Sequence, residues 1–197
     1  MEANSALLIV DLQNDFCPGG ALPVPDGDRV VAPLNRAAEL FAAANLPVFA
    51  SRDWHPAVTS HFSAYGGAWP SHCVQGSRGA EFHPQLQLPP DYFLISKGFE
   101  ADTDSYSAFD GRLADNRSLH ELLAGLGIVK LYVGGLATDY CVKESVLAAL
   151  RTGLQVVVLE DAIAGVDINP DDSLRAMEEM KAAGAVFCTV PALAREI

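Results

Sequence analysis

Six short runs of apolar and β-branched residues, separated by longer amphipathic segments, constrain the fold more than any other feature of this sequence. The predicted strands cover residues 6–11, 47–52, 92–97, 130–135, 154–161 and 185–189. The predicted helices cover residues 30–45, 118–126, 140–152 and 171–183. Continuous apolar strands that alternate with helices are typical of a parallel sheet buried on both faces. The pattern therefore predicts an α/β fold, a three-layer doubly wound sheet of about six mainly parallel strands with helices on both faces.

Single residues at the ends of the predicted helices indicate where those helices begin and stop. Asn116 precedes the second helix and is predicted to mark its start, and Pro170 precedes the fourth. Gly153 and Gly184 follow the third and fourth helices. A glycine in the left-handed conformation commonly ends a helix, so we expect both helices to end there.

The balance of charge argues against two classes of partner. The formal net charge is −12, and the sequence pI is about 4.6. A surface this acidic repels phosphate backbones and anionic lipid, so we expect neither nucleic acid nor a membrane as a partner. The apolar run at residues 6–10 is too short to span a bilayer and follows no basic segment, which predicts a cytoplasmic protein. The sequence leaves open whether the chain forms a homo-oligomer.

Polar side chains follow four predicted strands at the edge where their carboxyl ends meet. The first strand ends in Asp11, the second leads into Asp53 and His55, the third ends in Lys97, and the fourth leads to Cys141. Open α/β sheets bind ligands at this edge. Alone, Asp11 could cap a turn, Lys97 could be solvated, and Cys141 could be a small buried hydrophobe. Together they favour a cysteine nucleophile with its own base and cation.

Cys141 has a sequence setting that is typical of a reactive cysteine. It falls in the first turn of a predicted helix, with Thr138 or Asp139 placed to cap that turn. A helix N-terminus and a nearby lysine both stabilise a thiolate, and free N–H groups there can hold an oxyanion. Asp11 is the expected base for the thiol proton. The remaining cysteines lack this setting and any disulfide or thiolate-zinc spacing: Cys17, Cys73 and Cys188.

The tract from residue 53 to residue 91 holds four of the five histidines and no predicted helix. Asp53 and His55 lie on the same side of an extended strand end, as a metal chelate requires, and His72 returns from the loop. This set suits zinc, iron or manganese, whereas the alternative is a hydrogen-bonded loop without an ion. We favour one divalent metal ion, with zinc as first choice and His61 as an optional further ligand. His83 is predicted to be a surface residue.

The same tract has consequences for domain organisation and for the shape of the site. A long loop inside a compact domain is usually functional or disordered, and its two tryptophans argue against disorder. We expect a single domain over residues 1–197, with a metal-binding loop insertion at about 53–91. Phe16, Trp69 and Tyr106 are expected near the strand ends. They could form the walls of a pocket for a flat ring or lie over the edge of the core.

Seven motifs spread over nearly the whole chain resemble those of bacterial nicotinamidases (pyrazinamidases) of the isochorismatase-like hydrolase superfamily. The motifs are VDLQNDFCPGGALPV, SRDWHP, HF, WPSHC, SKG, DSYSAF and GGLATDYCV. Any one of them is a weak signal, whereas seven in the right order are highly specific. The resemblance implies the isochorismatase-like hydrolase fold.

The resemblance also implies a role for each matching residue. Asp11, Lys97 and Cys141 match the catalytic triad of the family. The peptide between Leu136 and Ala137 matches a non-proline cis bond, and the N–H groups of Ala137 and Cys141 match the oxyanion hole. The matching metal ligands are Asp53, His55 and His72, with His61 as a further ligand in some members. The matching substrate contacts are Phe16, Trp69, Tyr106 and Leu136.

The activity implied by the resemblance is hydrolysis of nicotinamide, and also of pyrazinamide, to the acid and ammonia through a cysteine thioester, a step in NAD salvage. The nearest alternative is a metal-independent carbamoyl or ureido amidohydrolase of the same superfamily. Such relatives generally lack the Asp–His–His set, so its presence here disfavours them. A vinyl-ether-cleaving isochorismatase type lacks the nucleophilic cysteine, and a non-catalytic binding domain would have a broken triad.

Overall fold

A six-stranded sheet forms the centre of the molecule in the computed structural model, which describes residues 3–195. Its strands are β1 (Ser5–Val10), β2 (Val48–Asp53), β3 (Phe93–Lys97), β4 (Lys130–Leu136), β5 (Gln155–Ala164) and β6 (Val186–Cys188). They lie in the order β3-β2-β1-β4-β5-β6, and every pairing between them is parallel. The predicted doubly wound α/β fold is confirmed, and the sheet is parallel throughout its described strands rather than mainly parallel.

Helices cover both faces of this sheet, as predicted. They are α1 (Val31–Ala43), α2 (Leu119–Gly125), α3 (Lys143–Arg151), α4 (Asp172–Ala182) and α5 (Val190–Leu193). Side chains of α1 and α5 share one core cluster with Leu7 and Ile9 of β1, whereas those of α2, α3 and α4 share the other with Leu8 and Val10. The alternation arises because successive strand side chains point to opposite faces. The sequence pattern did not predict α5, since a single turn is too short to have a periodicity.

The helix ends confirm two predictions and correct one. Gly153 and Gly184 take positive φ angles of 88° and 109° after α3 and α4, as expected of left-handed caps. Asn116 does not start α2. The N-cap is Ser118, whose hydroxyl accepts a hydrogen bond from the Glu121 N–H, while the Glu121 carboxylate accepts one from the Ser118 N–H. This reciprocal pair satisfies two free donors of the first turn, which Asn116 in its turn conformation cannot do.

The tract after β2 contains no α-helix between residues 54 and 92, as predicted, but it is ordered by short helical turns. Turns of 3-10 helix occupy Ser63–Tyr65 and Arg78–Ala80. None of the helices in the described part of the chain has the length and apolarity needed to span a bilayer. The single-domain organisation over residues 1–197 stays a prediction.

Candidate active site

The carboxyl ends of β1, β2 and β3 and the turn after β4 bring four polar side chains together, which we call the strand-end cluster (Asp11, Asp53, Lys97 and Cys141). The parallel register places Asp53 directly beside Lys97. Lys97 Nζ donates a hydrogen bond to Asp53 Oδ1, and lies 2.9 Å from Asp11 Oδ2 and 3.5 Å from Cys141 Sγ. All four side chains are buried, and Lys97 is fully so. The alternative of a solvated lysine at a strand end is therefore wrong.

Asp11 has one oxygen engaged and one available. It follows β1 with a positive φ of 46°, and its Oδ1 accepts a 2.7 Å hydrogen bond from the Ser51 hydroxyl. Its Oδ2 forms the ion pair with Lys97, yet no described residue donates it a hydrogen bond of suitable geometry. Ligand atoms of Asp11, Asp53 and Cys141 lie within 4.8 Å of one another. The Asp11 carboxylate is thus within reach of the thiol, and Oδ2 is its oxygen without a hydrogen-bond donor among the described residues.

The protonation of the strand-end cluster follows from burial and from its single cation. Burial raises the pKa of Asp11 above its ordinary value, although Lys97 opposes this. Burial alone would raise the pKa of Asp53, but the Lys97 ammonium, together with the neighbouring His55 and His72, outweighs it and holds that pKa well below the usual range. Burial would likewise lower the pKa of Lys97, but the Asp11 and Asp53 carboxylates hold it well above. Lys97 is therefore the fixed positive charge.

Cys141 lies in a π-helical turn, Thr138–Val142, that leads into α3. Burial raises the pKa of its thiol well above the usual range, Lys97 lowers it in part, and Asp11 raises it again. The expected stabilisation of a resting thiolate is therefore outweighed, because a third anion would be added beside two buried carboxylates. The thiol rests protonated, and a base must remove the proton during the reaction.

The predicted side-chain cap of this turn is wrong. The N-cap is Ala137, which has no side chain able to accept a hydrogen bond. Asp139 instead accepts hydrogen bonds of 3.0 and 2.8 Å from the N–H groups of Val166 and Asp167, in the loop after β5. A carboxylate bound to that loop cannot also reach the first turn, so Asp139 joins the ends of β4 and β5.

Cys17 and Cys73 differ from Cys141 in position rather than in acidity. Burial, with Asp28 adding to it, raises the pKa of Cys17 to about 11, and burial also raises that of Cys73 well above its usual range. Neither has the contact with Lys97 that Cys141 has. Cys188 is half-buried at the end of β6. The contact with the Lys97 ammonium, together with its place on the cavity wall, distinguishes Cys141 from these residues.

Three imidazoles form a second group next to the first, the histidine cluster (His55, His61 and His72). One ring nitrogen of each lies within 4.8 Å of the others. Asp53 Oδ2 lies 3.6 Å from His55 Nε2 and 3.8 Å from His72 Nε2, while Oδ1 of the same carboxylate faces Lys97. Asp53 of the strand-end cluster therefore also faces the histidine cluster. The optional ligand His61 lies with the predicted set, whereas His83 does not.

The histidine cluster fits a divalent metal ion. Both ring nitrogens of His55 are buried and have no hydrogen-bond partner among the described residues, an arrangement that is costly without a ligand. His72 Nδ1 lies 2.8 Å from the Pro70 carbonyl, which can only accept, so Nε2 carries the free lone pair. Three imidazoles and one carboxylate suit zinc, iron or manganese.

Gly98 leaves the space that the His55 ring occupies. It follows Lys97 with a positive φ of 69°, and a Cβ at this position would lie 2.5 Å from the His55 ring. Only glycine combines that backbone conformation with so close an approach. The SKG motif therefore serves both clusters, with Lys97 in one and the room for His55 in the other.

A pocket of about 430 Å³, including the open space at its mouth, opens onto both clusters. Asp53, His61, His72 and Cys141 contribute its polar lining. The predicted aromatic residues form its walls rather than a cover of the core edge: Phe16, Trp69 and Tyr106. Trp69 Nε1 donates a 2.9 Å hydrogen bond to the Tyr106 hydroxyl, which joins two of these walls.

Leu136 is not among the described residues that line the cavity. It is fully buried in the core cluster under α1, and its contact with substrate stays a prediction. Strand alternation turns this side chain into the core, away from the edge. The peptide bond between Leu136 and Ala137 is cis, as the resemblance implied, and Ala137 lines the cavity. The oxyanion role of the Ala137 and Cys141 N–H groups stays a prediction.

Two residues near the site were missed by the sequence reasoning. Gln13 is fully buried, and its amide donates to the Asp53 and Ala80 carbonyls at 2.8 and 2.9 Å while accepting from the Asp53 N–H at 2.7 Å. Tyr140 forms a further aromatic wall, edge-on to Trp69. Their only sequence signals are their places beside Asp11 and Cys141, since a buried amide leaves no periodic pattern.

Comparison with known proteins follows the same lines as the geometry. The Isochorismatase domain family matches residues 5–192. The nicotinamidase of Escherichia coli (strain K12) is 45% identical over 94% of both chains. The crystal structure of pyrazinamidase of Pyrococcus horikoshii in complex with zinc is 42% identical, with a TM-score of 0.87 over 94% of this chain and 99% of that one.

A third relative was crystallised with a small molecule. The crystal structure of PnC1 from L. infantum in complex with nicotinate is 36% identical, with a TM-score of 0.86 over 96% of this chain and 94% of that one. The family, the Escherichia coli relative and the two solved structures each match nearly the whole length of this chain. The chain therefore belongs to the isochorismatase family of hydrolases, in its nicotinamidase/pyrazinamidase group.

Proposed function

We propose that this protein hydrolyses nicotinamide, and also pyrazinamide, to the corresponding acid and ammonia. The observation that carries the proposal is a single cavity with aromatic walls onto which a thiol, a carboxylate and a cluster of imidazoles all open. A flat heteroaromatic ring fits between such walls. The nicotinamidase and pyrazinamidase relatives support this substrate class.

Asp53 lies between the place proposed for the carboxamide of the substrate and the place proposed for its ring nitrogen. One of its oxygens contacts Lys97, which lies 3.5 Å from Cys141 Sγ, and the other faces the histidine cluster. We propose Asp53, His55 and His72 as metal ligands, with His61 as a fourth. A divalent ion held by these residues would supply a binding site for the pyridine nitrogen, which would orient the carboxamide towards the thiol. Zinc is our first choice, because a relative was crystallised with zinc.

The first half of the reaction forms a thioester. Asp11 Oδ2 takes the Cys141 proton, and Sγ attacks the carboxamide carbon to form the C–S bond. The N–H groups of Ala137 and Cys141 hold the oxyanion. The C–N bond then breaks, and ammonia leaves with the proton returned by Asp11. Lys97 keeps its positive charge throughout and offsets the anions that form beside it.

The second half hydrolyses the thioester. Asp11 takes a proton from water, the hydroxyl oxygen attacks the carbonyl carbon, and the same N–H groups hold the oxyanion. The C–S bond breaks, Sγ regains a proton from Asp11, and nicotinic acid leaves and gives its carboxyl proton to solvent to become nicotinate. Asp11 therefore acts twice as base and twice as acid, which suits a carboxyl group whose pKa is raised by burial.

The experiment is ammonia release by purified protein from nicotinamide, pyrazinamide, benzamide and a carbamoyl amide, before and after chelator treatment and zinc add-back. We expect nicotinamide and pyrazinamide to be hydrolysed, with activity lost on chelation and restored by zinc. Benzamide has the same ring shape without a ring nitrogen, so we expect it to react far more slowly. Failure of the metal-loaded protein to release ammonia from nicotinamide would overturn the proposal. Preference for the carbamoyl amide would favour the metal-independent alternative.

A further inference from the structure

His61 differs from the other two members of the histidine cluster in the hydrogen-bond partner of its Nδ1 atom. Its Nδ1 lies 2.5 Å from Oδ1 of Asp104. The His61 side chain is 5% exposed, whereas that of Asp104 is 61% exposed. Nδ1 of His72 faces the Pro70 carbonyl instead, and neither ring nitrogen of His55 has a hydrogen-bond partner among the described residues. Among these three histidines, a carboxylate at Nδ1 is therefore specific to His61.

The two loops that carry this pair are joined at a second place. The Ala101 carbonyl accepts hydrogen bonds from the Ser60 N–H at 2.8 Å, the Thr59 hydroxyl at 2.9 Å and the Ser60 hydroxyl at 3.1 Å. The Thr59 hydroxyl also accepts from the His61 N–H at 3.2 Å. The backbone around His61 is thus tied to the loop of Asp104 independently of the carboxylate.

The segment after Asp104 is also held at the site. The Ser105 carbonyl lies 3.4 Å from Lys97 Nζ, and the Tyr106 hydroxyl accepts the hydrogen bond from Trp69. Removal of the Asp104 carboxylate should therefore leave the loop in place and affect mainly the ring of His61. This separation makes the role of Asp104 testable.

We propose that Asp104 is a positioning residue that fixes the orientation and the tautomer of His61 for metal binding. An ionised carboxylate can only accept a hydrogen bond, so His61 Nδ1 carries the proton and Nε2 keeps its lone pair. A carboxylate behind an imidazole ligand also increases the basicity of that ligand. The inference rests on the metal site proposed above and adds to it a residue that does not touch the ion.

The test is a double-mutant cycle on zinc affinity, measured by competition with a chromophoric chelator on metal-stripped full-length protein. The variants are Asp104→Ala, Asp104→Asn, His61→Ala and the double variant, with Asp102→Ala as control. Asp102 is an exposed acidic residue two positions from Asp104, so its replacement by Ala removes the same charge from the same loop. Loss of an outer partner typically weakens metal binding by about 10- to 100-fold.

We expect Asp104→Ala to weaken zinc binding by about 10-fold or more. Asn keeps an acceptor oxygen, so Asp104→Asn should lose less. The Asp102 control should bind as the wild type does. In the His61→Ala background, Asp104→Ala should have no further effect, because its partner is gone. The visible spectrum of the cobalt(II)-substituted protein should change in Asp104→Ala as it does in His61→Ala.

Two outcomes would overturn the inference while leaving the proposed metal site intact. Either His61→Ala binds zinc as tightly as the wild type, or Asp104→Ala weakens binding equally with and without His61. Failure of the wild type to bind zinc would remove the proposed metal site itself. The wild-type measurement therefore separates the two failures.

Discussion

Asp53 of the strand-end cluster also faces the histidine cluster, but the two clusters are built in opposite ways. Members of the first come from the ends of adjacent parallel strands and the turn after β4, and its charges pair with one another, Lys97 with Asp11 and Asp53. Members of the second come from a long loop, and His55 is buried there with neither ring nitrogen hydrogen-bonded to any described residue. The charges of the strand-end cluster are paired once the chain folds. The ring nitrogens of His55 obtain a partner only when a ligand binds.

The contrast teaches which part of the site contributes to folding and which part limits it. Paired buried charges stabilise the folded state relative to any variant that leaves one of them alone. A buried imidazole without partners costs stability until a metal binds. We therefore expect substitutions in the two clusters to have effects of opposite sign on the metal-free protein.

The largest effect is expected from Cys141→Ala, which separates chemistry from metal binding. Loss of the nucleophile should reduce ammonia release from nicotinamide by at least about 10⁴-fold. Zinc affinity should stay within about twofold of the wild type, because Cys141 belongs only to the strand-end cluster. Substantial turnover by this variant would rule out the covalent mechanism, and loss of zinc would show that the two clusters are not separable.

The next effect concerns stability, in Lys97→Met. Removing the cation of the strand-end cluster leaves the buried Asp11 and Asp53 carboxylates without their ammonium partner, which should lower the free energy of unfolding by about 3–5 kcal/mol. The pKa of Lys97 is raised above its unfolded value, so its contribution is fully present at neutral pH and is lost only as pH rises through the folded value.

Urea unfolding of metal-free protein measures this deficit. The loss of unfolding free energy in Lys97→Met should become smaller as pH falls. Burial raises the pKa of Asp11, so this carboxylate takes up a proton and no longer needs a cation beside it. A deficit that grew on acidification would contradict the assignment of Lys97 as the compensating charge.

The smallest effect tests the opposite sign in the histidine cluster. His55→Leu removes two unpaired buried nitrogens, so the metal-free variant should be more stable than the wild type by about 1 kcal/mol. Excess zinc should stabilise the wild type, by about 4 kcal/mol at a thousand times its dissociation constant, and the variant far less. Thermal unfolding with and without zinc measures both. A destabilised metal-free variant would mean that His55 packs as an ordinary core residue.

Much of the site was predictable because it lies at strand ends. Asp11, Lys97 and Cys141 each follow an apolar run, and parallel strands necessarily bring such residues to one edge. The histidines were predictable as metal ligands, because Asp53 and His55, two residues apart, point to the same side of an extended strand end. The doubly wound order of strands followed from the same alternation of strands and helices.

Other features depend on contacts between residues distant in sequence. Gln13 is 40 residues from Asp53, and only the folded sheet places its amide against that backbone. Asp104 meets His61 across 43 residues, between two loops that have no regular pattern. The preference of Asp139 for the loop after β5 over its own helix was likewise invisible, because both partners are ordinary backbone N–H groups.

The sequence by itself determined the strand and helix rhythm, the edge of the sheet that carries the site, and the chemical types gathered there. Those follow from local periodicity and from the geometry of parallel sheets. Only the tertiary structure decided that Cys141 rests as a thiol, that Asp53 joins both clusters and that His61 has a carboxylate behind it. Protonation and ligand orientation depend on burial and on charges a few ångströms away, and these distances are set by the packing of the whole chain.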